Sequence, residues 1–211
     1  MNKIYFWKDF SVQDLHTELK NNDVIISSTD TVAGLLALPA LSGFKKLNQL
    51  KQKEGKPYLL VAASIDNVKS LVEFEFADSV ERLVKYCWPG PLTLIIKAKE
   101  EIPNFIKSAD GNIAIRIPKH DHLLELLKET GPLFSTSANI TNKPVPRFVS
   151  EIDPQLLDSV NIALQEKDDK TISIVPSTIL DCTKNEIKLV REGAYDLEVL
   201  ERVSGVKIVR E

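Results

Sequence analysis

Short apolar runs with the character of β-strands follow one another along much of this chain, and several have no helical segment between them. Residues 24–28, 58–63, 92–98 and 113–117 are runs of this kind, and such runs favour strands. No helical pattern separates the last two of them, or residues 178–182 from residues 187–190. Because parallel neighbours need a crossover connection, usually a helix, these strands cannot all be parallel. The pattern therefore predicts an α/β fold with a mixed sheet flanked by helices.

The domain organisation follows from length and from the absence of repeats. The chain has 211 residues without an internal repeat or a low-complexity tract, a length that suits one domain. We expect a single domain over residues 1–211.

Composition narrows the classes of protein. The formal net charge of -3 does not demand a polyanionic partner. Cys87 and Cys182, the two cysteines, form neither a disulfide framework nor a metal cluster, and they fit a reducing compartment. The N-terminus has no apolar signal core, and Asp30 and Pro39 interrupt the most apolar stretch, residues 24–44. We expect a cytoplasmic protein that spans no membrane.

Two polar segments stand at the ends of strand-like runs. SSTDT at residues 27–31 and STSAN at residues 135–139 carry hydroxyl, carboxylate and amide groups that can hydrogen-bond a small polar ligand. Turns and helix caps favour the same residue types. From the residues alone, a binding role and a turn or cap both stay open.

Cations occur in two further places. KQKEGKP at residues 51–57 places three lysines in a glycine-containing loop that suits phosphate, although lysines also complement a helix C-terminus. Arg116 lies in a strand whose neighbours Ile113, Ile115 and Ile117 face the other way. It needs solvent or an anion, either a ligand carboxylate or a structural ion-pair partner. The sequence has neither a G-x-x-x-x-G-K-[ST] loop nor a G-x-G-x-x-G motif.

Seven short motifs, taken in order, resemble those of the YrdC-type threonylcarbamoyl-AMP synthases. STDTVAGL at residues 28–35 resembles the family's P-T-[DE]-T-V-Y-G-L, and KQK at residues 51–53 its K-x-R. WPGPLT at 88–93 and AIRIP at 114–118 resemble W-P-G-P-x-T and V-x-R-x-P. SAN at 137–139, VPST at 175–178 and VREGA at 190–194 complete the series. The resemblance covers nearly the whole chain and matches the short form of the family.

The resemblance implies one α/β domain with a twisted mixed sheet around a concave, basic cavity. It implies a nucleotidyltransferase that joins L-threonine, bicarbonate and ATP into threonylcarbamoyl-AMP and pyrophosphate, with Mg²⁺. The product serves threonylcarbamoyladenosine modification of tRNA through a downstream transferase complex, and contact with tRNA or double-stranded RNA is possible within the family. Two alternatives are a non-enzymatic RNA-binding paralogue of the same fold and a carbamoyl-transfer domain like that of hydrogenase-maturation proteins.

Residue roles carry over by matching position. The resemblance implies that threonine is bound by Thr31, Arg116, Ser135 and Ser177. It implies that ATP is bound by Lys51, Lys53, Lys56, Asn112, Ser137, Asn139 and Arg191. It assigns no metal-ligating residue and no general base.

The chain departs from the family pattern at a few positions. Lys53 stands where the family has arginine, which keeps the charge but loses the bidentate fork. Ser28 and Ala33 replace a proline and a tyrosine, and Val145 stands where many relatives carry a nucleotide-contacting serine. Two interpretations of these changes stay open, namely a divergent but active enzyme and a paralogue with another task.

Overall fold

The described part of the chain alternates short strands with helices of two to three turns. In a computed structural model, residues 3–22, 24–53, 57–73, 75–146, 148–166 and 175–210 are described. The strands are β1 (Ile4–Phe6), β2 (Val24–Ser27), β3 (Gly34–Ala37), β4 (Leu59–Val61), β5 (Leu92–Lys97), β6 (Asn112–Arg116), β7 (Leu133–Ser137), β8 (Ala163–Gln165), β9 (Thr178–Asp181), β10 (Lys188–Arg191) and β11 (Val209–Arg210). The α-helices are α1 (Val12–Asn22), α2 (Leu41–Lys51), α3 (Ile65–Leu71), α4 (Asp78–Cys87), α5 (Asp121–Thr130), α6 (Pro154–Asp158) and α7 (Leu197–Ser204).

Polar side chains start several helices. Ser11 Oγ accepts the backbone N–H of Asp14 at 3.1 Å, and Asp14 Oδ2 accepts that of Ser11 at 3.1 Å, a reciprocal pair that satisfies two end donors of α1. Ser64 Oγ accepts the N–H of Asn67 at the start of α3. His120 Nδ1 accepts the N–H of Leu123 at 3.2 Å and so caps α5. For His120 the sequence predicts a capping or surface role rather than metal binding.

All the described strands belong to one mixed sheet. Its order is β1-β8-β2-β3-β7-β4-β6-β5-β9-β10-β11. β3 runs antiparallel to both β2 and β7, whereas β6 pairs parallel with β4 and antiparallel with β5. The mixed α/β sheet predicted from the sequence is therefore confirmed.

The two faces of the sheet pack against different helices. One face packs apolar side chains of α2, α4 and α7 into the larger core, for example Leu47, Leu83 and Leu200. The other face packs α1 and α5 over part of the sheet, with Leu15 and Leu126 in a second core. In β6, Ile113 and Ile115 belong to the larger core, so Ala114 and Arg116 project to the opposite side, as the alternation predicts.

Some elements escape prediction from the sequence. The apolar stretch after residue 31 contains β3, which has four residues, and the edge strands β1 and β11 have three and two. Runs this short give too few residues to display a period of two. Among the residues that the structure describes, no helix combines the length and apolar character needed to cross a bilayer.

Candidate functional site

A cavity of about 570 Å³ opens over the middle of the sheet, on the side to which Arg116 projects. Gly34, Ala114 and Ser135 are among the residues that line it, and they offer little or no side chain. Loops from both halves of the chain close its sides. The predicted site residues that line this cavity are Thr31, Lys53, Arg116, Ser135, Ser137, Ser177 and Arg191.

Arg116 lies at the end of β6 and is held by the turn that follows β2. Its Nη1 donates to Asp30 Oδ1 at 2.9 Å, and its Nη2 donates to Thr31 Oγ1 at 3.1 Å. Both members of the ion pair are buried, with side chains that are 4% and 7% exposed. The sequence leaves a ligand carboxylate and a structural ion pair open as partners of Arg116. The structure shows the ion pair and also places Arg116 in the cavity wall.

The hydroxyl groups on this side of the cavity are themselves fixed. Thr31 N–H donates to Thr29 Oγ1 at 3.1 Å, and the two threonine hydroxyls lie 3.1 Å apart. Ser177 Oγ lies 2.8 Å from Thr93 Oγ1. Both Thr31 and Ser177 are buried, so protein groups rather than bulk water set the orientation of their hydroxyl groups.

Arg191 lies on the wall formed by β10 and is held by backbone. Its Nε and Nη2 donate to the carbonyl oxygen of Ser177 at 3.1 and 2.7 Å. Nη2 also donates to Ser177 Oγ at 3.1 Å. Burial, followed by the positive charge of Arg116, lowers the pKa of Arg191. The two guanidinium groups therefore act on each other within one cavity.

Gly193 permits this packing. A side chain at position 193 would overlap backbone atoms of Pro176, Ser177 and Thr178. The absence of a Cβ lets the segment after β10 lie directly against the segment that carries Ser177. The segment from Arg191 to Gly193 thus combines a cationic side chain with a glycine that lets two backbone segments lie close together.

Lys51 lies behind the cavity wall rather than in it. At the end of α2, its Nζ donates to the carbonyl oxygen of Ser137 and to Asn139 Oδ1, both at 2.8 Å. Ser137 Oγ also donates to Asn139 Oδ1, at 2.6 Å. Burial, followed by the charge of Lys53, lowers the pKa of Lys51 to about 8. Lys51 and Asn139 therefore shape the turn after β7 that presents Ser137.

Lys53 lines the cavity next to an aromatic ring. Its Nζ lies 5.1 Å from the centroid of Tyr58, within the range of a cation–π contact. Tyr58 is buried, and its hydroxyl donates to Asn48 Oδ1 at 2.9 Å. Burial raises the pKa of Tyr58 to about 12, so the ring stays a neutral phenol near pH 7.

Two predicted residues do not join this group. Asn112 begins β6 at the end away from Arg116, paired with Lys97, and it is not among the residues that line the cavity. Lys56 lies outside the described residues. Gly34 and Tyr58 line the cavity although sequence reasoning assigned them no role. Asp30, which the sequence offered only as part of a polar segment, holds Arg116. The sequence contained a signal for Asp30, because a carboxylate within a run of hydroxyl residues is expected to pair with a cation.

Metal ligands are a separate question. Within the described ranges, no group of three or more His, Cys, Asp or Glu side chains has the arrangement to hold a metal ion. The described lining of the cavity contains no carboxylate, and Mg²⁺ sites in proteins usually include one or two. The described residues therefore do not fit a magnesium ion held by the protein itself.

Comparisons with known proteins agree with the motif series. The Sua5/YciO/YrdC family model, described as "Telomere recombination", matches residues 17–193. A Klebsiella pneumoniae protein named threonylcarbamoyl-AMP synthase is 34% identical over 145 residues, 67% of this chain and 76% of that protein. A Pyrococcus abyssi protein of the same name is 29% identical over 89% of this chain, which spans 55% of its length.

A solved structure extends the likeness to three dimensions. The crystal structure of P. abyssi Sua5 complexed with L-threonine superposes with a TM-score of 0.82 at 26% identity. It covers 93% of this chain and 58% of that one. The two chains therefore share the fold of the described sheet and its flanking helices.

Proposed function

The chain belongs to the Sua5/YciO/YrdC family, and we propose that it is a threonylcarbamoyl-AMP synthase. This enzyme joins ATP, L-threonine and bicarbonate into threonylcarbamoyl-AMP and releases pyrophosphate and water. The names of its relatives support the activity, and the threonine complex of P. abyssi Sua5 supports the amino-acid substrate. Because an adenylyl group is transferred, the enzyme is a nucleotidyltransferase.

One observation carries the proposal. A single cavity brings a guanidinium group and oriented hydroxyls, which suit an amino acid, together with further cations, which suit a polyphosphate. Arg116 pairs with the threonine carboxylate, and Thr31, Ser135 and Ser177 offer hydroxyls to the ammonium and side chain. These roles are proposals that rest on placement and chemistry.

The nucleotide takes the remaining groups. Lys53 and Arg191 face the phosphates from the cavity wall, and Ser137 offers its hydroxyl beside them. Lys51 and Asn139 support Ser137 from behind. Asn112 and Lys56 stay predictions, the first at the start of β6 and the second outside the described residues.

The chemistry requires positioning and charge more than covalent catalysis. In the adenylation step, a carbamate oxygen forms a bond to the α-phosphorus, and the bond to the bridging oxygen breaks so that pyrophosphate leaves with the electron pair. Negative charge grows on the leaving group, where Lys53 and Arg191 can stabilise it. Holding three reactants in one cavity supplies the remaining acceleration by proximity. Mg²⁺ stays a prediction, because the described lining of the cavity offers it no carboxylate.

The wider role is also a proposal. Threonylcarbamoyl-AMP is a mixed anhydride, so a transferase must deliver its threonylcarbamoyl group to the tRNA adenosine. The motif resemblance makes a transferase complex and tRNA the expected partners. A cytoplasmic location stays a prediction.

A pyrophosphate assay tests the activity. The purified chain is incubated with ATP, bicarbonate and threonine, each omitted in turn, and pyrophosphate and threonylcarbamoyl-AMP are measured. We expect release that requires all three reactants and yields the adenylate. Absence of release, together with tight and salt-sensitive binding to structured RNA, would instead favour the RNA-binding paralogue.

A further inference from the structure

The carboxylate behind Arg116 is fully engaged by the protein. Asp30 Oδ1 accepts from Arg116 Nη1 at 2.9 Å, and Asp30 Oδ2 accepts the backbone N–H of Lys119 at 3.0 Å. Its side chain is 7% exposed, and Asp30 is not among the residues that line the cavity. Asp30 thus ties three segments together, namely the turn after β2, the end of β6 and the chain beyond it.

The guanidinium group of Arg116 is held by the protein but still has N–H donors to offer. Nη1 is fixed by Asp30 and Nη2 by Thr31, and each of these nitrogens carries a second N–H. Nε is buried and has no hydrogen-bond partner among the described residues. A guanidinium offers five N–H donors in a rigid fork. Arg116 therefore keeps donors for an anionic ligand while its orientation is already set.

Burial gives Asp30 a second effect on Arg116. An arginine side chain that is 4% exposed needs a counter-charge, because an unpaired buried charge is costly. Asp30 supplies that charge from outside the cavity lining. A lone arginine would lose rotamer freedom on binding, and a pre-oriented one loses less.

We infer that Asp30 is a positioning residue for substrate binding: it orients Arg116 toward the carboxylate of the amino acid without touching the ligand itself. The inference rests on the proposed function, because it takes Arg116 as the carboxylate-binding group. It goes beyond the assignments made from the motifs, which give Asp30 no role. It predicts an effect confined to one of the reaction's substrates.

A double-mutant cycle tests this inference in the full chain. L-threonine affinity is measured by calorimetry for the wild type, Asp30→Asn, Arg116→Ala and the double variant. Asp30→Asn should weaken threonine binding about tenfold to hundredfold, the range for losing a charge-assisted hydrogen bond. In the Arg116→Ala background it should add less than about twofold, because Asp30 acts through Arg116. An unchanged affinity, or an equal further loss in that background, would overturn the inference.

Steady-state kinetics separate positioning from general damage. Asp30→Asn should raise the KM for threonine and leave the KM for ATP within about twofold, with kcat at saturating threonine reduced far less. Equal rises in both KM values would contradict a positioning role. Glu73→Gln is the matched control, since it removes a carboxylate paired with Lys97 at 3.1 Å outside the cavity lining, and it should change neither KM.

A second variant guards against misfolding. Asp30→Glu keeps the counter-charge of Arg116 but moves it by one methylene, so it should fold and still bind threonine more weakly than the wild type. Wild-type affinity in Asp30→Glu would overturn the inference even if Asp30→Asn does not fold. If the wild type itself binds no threonine, the proposed function fails, and the inference falls with it.

Discussion

Two sets of cations lie in or behind the wall of this cavity, and the protein holds them differently. Arg116 is paired with a buried carboxylate, so that this side of the cavity is close to electrically neutral before any ligand enters. Lys51 and Arg191 are held by uncharged oxygens of Ser137, Asn139 and Ser177, with no carboxylate partner among the described residues. The side with Arg116 provides a fixed orientation, and the side with Lys51 and Arg191 keeps a net positive charge.

The difference matches the two proposed ligands. A single carboxylate needs a donor in the right orientation, which a counter-ion can fix. A triphosphate carries several negative charges and needs excess positive charge. Burial lowers the pKa of both Lys51 and Arg191, and a neighbouring cation lowers each of them further. The variants and conditions below act on one set of cations, on the other or on both.

Removing Arg116 should have the largest effect. Arg116→Ala deletes the donor for the carboxylate and leaves Asp30 buried without its cation, which costs about 3–5 kcal/mol of folding stability. We expect the threonine KM to rise about hundredfold, in line with losing a buried charge pair, while the ATP KM changes little. Pyrophosphate release and thermal unfolding measure the two effects. Unaltered threonine binding would refute the carboxylate assignment.

A substitution at Gly193 should act on the proposed sites of both substrates at once. In Gly193→Ala the new Cβ would push on the backbone of Pro176, Ser177 and Thr178, so that Ser177 and its partner Arg191 move together. We expect the KM values for threonine and ATP to rise together by about tenfold, since catalytic geometry tolerates only small displacements. A selective rise in one KM would show that Ser177 serves one substrate alone. Circular dichroism confirms that the variant is folded.

The pH dependence should distinguish the nucleotide side from the threonine side. The pKa of Lys51 is lowered from 10.5 to about 8, so its charge is present below pH 8 and is lost as the pH rises through that value. ATP affinity should therefore fall, about threefold to tenfold, between pH 7 and 9. Lys51→Met, which has no charge to lose, should bind ATP weakly and without this step. An equal step in Lys51→Met would assign the titration to another group.

The site shows what the sequence could and could not specify. The alternation around Arg116 placed it on the face opposite Ile113 and Ile115, because a strand has a fixed period of two. The same geometry separates Asn112 from Arg116 by about 13 Å, because the two lie four residues apart along the strand. The pairing of Asp30 with Arg116 joins residues 86 positions apart. Local pattern carries no information on such a contact.

The choice of cation at position 53 should have the smallest effect. Lys53→Arg restores the family's arginine and its fork, and the guanidinium can still stack on the ring of Tyr58. We expect the ATP KM to fall or rise by less than about threefold and the threonine KM to change less than that, because the positive charge at position 53 is kept. Tyr58→Leu tests the same contact from the other partner: without the ring face, a cation–π contact worth about 0.5–1 kcal/mol is lost, and the ATP KM should rise twofold to fivefold on this estimate. A large loss of activity in Lys53→Arg would show that the cavity has adapted to lysine, so that net charge alone does not define the nucleotide side.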